Sequence, residues 1–97
     1  MPRRPDSVVD PTGAIAARSA VLAVDEDPAM RIFVRRILQS AGLGCVEAAD
    51  GESGLKLAVE AGVSAAIVDL ALPGMSGAEL AWRLSEQIPG LPVVAVS

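Results

Sequence analysis

Four short apolar runs divide this chain, and their spacing constrains its fold more than any other feature. They are AVLAV at 20–24, GCVEA at 44–48, SAAIV at 64–68 and LPVVAV at 91–96. The first, third and fourth lack polar alternation, as expected of strands buried on both faces. The segments between them carry helical spacing instead. Met30, Phe33, Val34, Ile37, Leu38 and Ala41 follow Asp27-Pro28, a pair that suits an N-cap and a first helical position. That apolar face is expected to turn inward, with Arg31, Arg35 and Arg36 off it, until Gly42 ends the helix. A second helix is expected over 52–61, after an Asp50-Gly51 turn, with Leu55, Leu57 and Ala58 inward and Gly62 as its stop. A third is expected over 78–87, with Leu80, Ala81, Leu84 and Ile88 inward and Trp82 partly exposed. Strand–helix alternation with short loops and right-handed crossovers predicts an α/β fold, a parallel sheet with helices on both faces. Residues 1–18 mix Pro, Gly and charge without period and are expected to form a mobile N-terminal tail, leaving 19–97 as a single domain.

In sheets of this kind ligands bind beyond the carboxyl ends of the strands, where the strand order reverses. The chain puts its acids there. Strand one runs into Asp25, Glu26 and Asp27, strand three into Asp69, and strand four into the hydroxyl of Ser97. Carboxylates gathered at one edge repel, and a hard divalent cation relieves the repulsion. The chain has no His and a single cysteine, Cys45, so soft ligands for zinc or copper are lacking. Mg²⁺ suits the oxygen donors, and a carboxylate beside it can attack phosphorus. Taken alone, Asp25 and Glu26 read better as solvated acids before a helix N-terminus. Asp69 and Ser97 on matching strand ends favour the shared site. Asp27, Asp50 and Glu52 are assigned to helix starts and turns.

Composition removes several alternatives. A net charge of −4 leaves no basic footprint, so no nucleic-acid binding is expected of this segment. No run of 18 apolar residues exists to span a membrane, and Asp6, Asp10, Pro11 and Arg18 interrupt any signal-peptide core. A lone cysteine without a His to activate it reads as a small buried strand residue, and a cytoplasmic location fits it best.

The set VDED, IVDLALPGMSG and LPVVAVS, spread over residues 20–97, closely resembles the receiver domain of two-component response regulators. The resemblance implies a flavodoxin-like doubly wound parallel sheet of strand order 2-1-3-4. It implies Asp69 as phosphoacceptor and Asp25 and Glu26 as the acidic pair that holds Mg²⁺, Glu26 standing where Asp is commoner. Asp69 itself and the backbone carbonyl of Ala71 complete the implied metal set. Ser97 matches the hydroxyl that follows the phosphoryl group, and Pro73 and Gly77 match turn residues after the acceptor. The implied partner is a histidine kinase or histidine phosphotransfer protein, docking near the first helix beside Met30 and Ile32. A fused or separate output domain would read the switch. Such a module phosphorylates and dephosphorylates itself and is not a free-standing enzyme.

One departure is large. The family's fifth strand, with its Lys, and the last helix are absent from this sequence, and Lys56, on the second helix, cannot replace that Lys. The expectation is a domain cut short, with strand four as an exposed edge open to self-association. Two other readings follow. One is a degenerate receiver acting only as a protein-binding module. The other is a phosphatase of the haloacid dehalogenase type, suggested by the D-x-D spacing of Asp25-Glu26-Asp27 but not by the Pro28-Ala29 that follows.

Overall fold

The computed structural model describes residues 19–97, together with Val8–Val9 and Ile15–Ala16, which form a short antiparallel ladder. The rest of the expected N-terminal tail lies outside the described residues.

Four parallel strands make the main sheet: β1 (Ala20–Val24), β2 (Gly44–Ala48), β3 (Ala65–Asp69) and β4 (Val93–Val96). Their spatial order is β2-β1-β3-β4, as expected. The helices between them are α1 (Pro28–Ser40), α2 (Gly51–Ala61) and α3 (Gly77–Gln87). The chain leaves β1 toward β2 on one side and then returns past β1 to β3 on the other. The order therefore reverses between β1 and β3, and a crevice opens at their carboxyl ends.

Each helix starts where a short polar side chain can cap it. Asp27 accepts from the Ala29 N–H, Asp50 from Ser53 and Ser76 from Glu79. These bonds satisfy amides that the first turn leaves without a partner. Gly62 closes α2 with a φ of 63°, a left-handed conformation that glycine adopts freely.

Successive strand residues point to opposite faces. Leu22, Val24, Ala66 and Val68 face α2 and α3 and join Ala58, Leu80 and Leu84 in the main core. Leu22, Leu80 and Leu84 are wholly buried, and each such side chain contributes about 1.5–3 kcal/mol on leaving water. Leu55, Leu57 and Ile88 pack against this core from its margin, as expected.

The other face departs from expectation. On α1 only Leu38 is buried, while Phe33 is 59% and Ile37 51% exposed, and Met30 is exposed too. Arg31 and Arg35 are half-buried instead, while Arg36 is exposed. Glu47 on β2 presents a carboxylate to this face, and Arg31 and Arg35 both reach it. These ion pairs occupy the face of β2 that α1 covers, while Met30, Phe33 and Ile37 stay exposed. Nor is β4 buried on both faces. Among the described residues it pairs only with β3, and Val94 is 57% exposed. Cys45 is half-buried rather than buried, and burial pushes its thiol pKa up.

Candidate functional site

The site forms at the carboxyl ends of β1, β3 and β4. Asp25 follows β1, and its N–H donates to the Ala48 carbonyl at 3.1 Å, extending the β1–β2 ladder by one residue. Its Oδ1 accepts the Asp27 N–H at 2.9 Å. Its carbonyl accepts from Arg31 Nη1 at 2.6 Å. Asp25 is thus held at its amide, its carbonyl and one carboxylate oxygen.

Asp69 ends β3 in register with Val96 of β4. Its Oδ1 accepts the Ala71 N–H at 3.0 Å, an Asx-type turn that starts the following loop. The Leu70 N–H donates to the Val96 carbonyl at 2.8 Å, which brings the end of β4 against the acceptor loop. The loop then folds back so closely that Gly77 lies on Asp69. A Cβ at Gly77 would collide with the Asp69 carbonyl oxygen and stand 2.6 Å from Leu70 Cα. Only glycine permits that approach.

These elements enclose a shallow pocket of about 340 Å³. Asp25, Glu26, Asp69, Ala71 and Ser97, the residues singled out from the sequence, all line it, together with Asp27, Met30 and Val96. The fold therefore brings the expected site residues to one place. It does not draw them into a tight cage: among the described residues, no three His, Cys, Asp or Glu side chains converge as a ligand group. Mg²⁺ needs no cage, since it commonly takes one or two carboxylates and keeps several waters. An open pocket of carboxylate and carbonyl oxygens fits such an ion and lacks the nitrogen and sulfur donors that zinc or copper prefer.

A larger depression of about 610 Å³ lies beside it, between the start of α2 and the loop Pro73–Met75. Its Asp50 already caps α2. Hydrogen bonds from the Ser53 amide and hydroxyl hold the Asp50 carboxyl below the ordinary range. The smaller pocket combines acids from two strand ends with a hydroxyl from a third.

Arg31, expected off the inward face of α1, instead has a side chain only 19% exposed that lies between the Asp25 carbonyl and Glu47. The available signal was Glu47 itself, an acid on a strand face that a helix covers and so in need of a cationic partner.

Comparison with known proteins agrees with this geometry. Residues 21–97 match the family described as the response regulator receiver domain. Among curated relatives, the probable transcriptional regulatory protein TcrX of Mycobacterium tuberculosis is 32% identical over 77 residues, covering 79% of this chain and 33% of the relative. The sensor kinase/phosphatase LuxN of Vibrio harveyi is 30% identical, over 79% of this chain and 9% of its own length. Among solved structures, the chemotaxis protein CheY4 of Vibrio cholerae superposes with a TM-score of 0.73 at 36% identity, covering 81% of this chain and 68% of that one. The response regulator TrrA, solved in complex with the histidine kinase ThkA, gives a TM-score of 0.74 at 27% identity, covering 79% and 66%. The chain thus spans about a third, or less, of the curated relatives it matches here. With its strand order, its acids at the switch point and this match over nearly all of the described sheet, the chain belongs to the response regulator receiver domain family.

Proposed function

We propose that residues 19–97 act as the phosphoacceptor module of a two-component phosphorelay, with Asp69 as acceptor. The observation that carries this reading is the convergence of Asp25, Glu26, Asp69, Ala71 and Ser97 on one pocket at the switch point of the sheet.

In this reading an Asp69 carboxylate oxygen attacks the phosphorus of a partner's phosphohistidine. An O–P bond forms, the P–N bond breaks, and the imidazole leaves with the electron pair. Bound Mg²⁺, held by Asp25, Glu26, Asp69 and the Ala71 carbonyl, would supply positive charge to the phosphoryl oxygens. Asp25 and Asp69 each give one oxygen to a loop amide, and this fixes the direction of the other. Ser97 would donate its hydroxyl to a phosphoryl oxygen and move toward it, biasing a surface that an output domain reads. Hydrolysis of the acyl phosphate resets the module. Met30 of α1 lines the pocket, and with the exposed Ile32 it offers a docking edge to a kinase or phosphotransfer partner. The likeness to TrrA, solved with a histidine kinase, supports that class of partner. A cytoplasmic place fits this role, and no helix among the described residues is long and apolar enough to cross a membrane.

One observation favours a second reading. No lysine lines the pocket among the described residues, so nothing there meets the phosphoryl group with an ammonium. In this second reading the module would bind partners without switching. Membership in the receiver family leaves the phosphatase alternative without support.

The test is incubation with acetyl phosphate, with and without Mg²⁺. Base-labile, Mg²⁺-dependent labelling that Asp69→Asn abolishes supports the acceptor reading. No labelling under any condition, with kinase binding retained, supports the binding-only reading.

A further inference from the structure

We infer that Arg31 is a positioning residue for the acid pocket, anchored by Glu47; this rests on the reading of Asp25 as a metal-binding acid. Three contacts carry it. Arg31 Nη1 donates to the Asp25 carbonyl at 2.6 Å. Arg31 Nε lies 3.6 Å from Glu47 Oε1. Arg35 Nη1 holds the other Glu47 oxygen at 2.7 Å. The planar guanidinium thus spans from β2 to the turn that leaves β1. Its fork offers donors in a fixed plane, so locking one end on Glu47 aims the other. Lysine, a single flexible point charge, cannot hold both ends in that geometry.

The consequence falls on Asp25. Its amide is tied to Ala48 and its Oδ1 to the Asp27 amide. The Arg31 bond fixes the remaining backbone group. With all three in place, the peptide between Asp25 and Glu26 cannot rotate, and the two carboxylates keep one direction. The arginine also places a positive charge at the Asp25 backbone, next to a pocket of acids that repel one another.

These two effects oppose each other for Mg²⁺, so they can be separated. If Arg31 only screens the acids, its removal leaves a more negative pocket and tightens Mg²⁺ binding. If Arg31 positions Asp25, its removal weakens binding, as loss of outer partners of metal ligands commonly does, by about ten-fold.

The experiment is Mg²⁺ titration of the 97-residue chain followed by amide NMR, with hydrogen exchange at Asp27 measured without metal. Expected results are about ten-fold weaker Mg²⁺ binding for Arg31→Met, faster exchange at the Asp27 amide, and only partial rescue by Arg31→Lys. Glu47→Gln keeps the cation and unties its anchor. It is expected to show the same two changes to a smaller degree, and it decides the matter if Arg31→Met does not fold. Tighter or unchanged Mg²⁺ binding with unchanged Asp27 exchange overturns the inference, as does full rescue by Arg31→Lys. Absence of Mg²⁺ binding in the unaltered chain overturns the metal reading of the pocket instead. The Asp27 exchange then still decides whether Arg31 holds the turn.

Discussion

Replacing Gly77 with alanine tests whether the acceptor loop depends on close backbone approach. The added Cβ would collide with the Asp69 carbonyl oxygen and lie 2.6 Å from Leu70 Cα. Ordinary carbon–carbon contact begins near 3.5 Å, so the start of α3 must retreat by about an ångström. Backbone is on both sides of the contact, and no side-chain rotation can absorb it. Overpacking of this kind costs about 1–3 kcal/mol. Alanine recovers at most about 1 kcal/mol through helix propensity, and less at a first helical position. A net loss of about 1–2 kcal/mol is expected in urea unfolding. The displaced peptide is the one that carries Asp69, so phosphorylation by acetyl phosphate should fall by ten-fold or more, on the order of the cost of a 1 Å misplacement. Gly54→Ala is the control. Its Cβ would meet the Val24 Cγ2 at 2.9 Å, a side-chain atom rather than the Asp69–Leu70 backbone. It should alter stability and leave the phosphorylation rate of the folded fraction unchanged. A Gly77→Ala chain that is as stable and as readily phosphorylated as the parent refutes the reasoning.

Three further outcomes are expected. Leu84→Ala removes a wholly buried side chain from the core under α3 and should cost about 3–5 kcal/mol, read as a lower urea midpoint at an unchanged slope. Asp50 has its pKa lowered by the hydrogen bonds from Ser53. Its contribution to α2 is therefore complete above the ordinary aspartate value and is lost as pH falls through the lowered one. Asp50→Asn, which still caps, should flatten that acid limb of a pH–stability curve, and an unaltered limb would show that Asp50 is not its source. Lastly, β4 has one paired edge and an exposed Val94, so the chain is expected to associate as its concentration rises, and Val94→Lys to reduce this. A parent chain that sediments as a monomer throughout contradicts it.

Much of the fold was legible because local signals agreed with one another. Asp27-Pro28 starts α1 where the cap chemistry required, and Gly62 ends α2 in the left-handed conformation that its position implied. The pocket was legible for a topological reason: in a parallel sheet every strand ends on the same edge, so acids after β1 and β3 must meet there. The orientation of α1 was not legible. Its apolar stripe at Met30, Phe33 and Ile37 has the right period, but period says only that a helix has two faces. Glu47, on a strand beneath it, pairs with Arg31 and Arg35, a contact the helical period does not register. The open edge of β4 was expected, but its faces were read as buried for a similar reason, since an apolar run reads so whether or not a neighbour stands beside it.

The central claim is that Asp69 receives the phosphoryl group, and one measurement addresses it directly. The chain is phosphorylated with acetyl phosphate and Mg²⁺, reduced with borohydride to trap the acyl phosphate, and its peptides are mapped by mass. The account predicts that the reduced residue, homoserine, appears at position 69. Reduction at Asp25, Glu26 or Asp27 with Asp69 intact would contradict it.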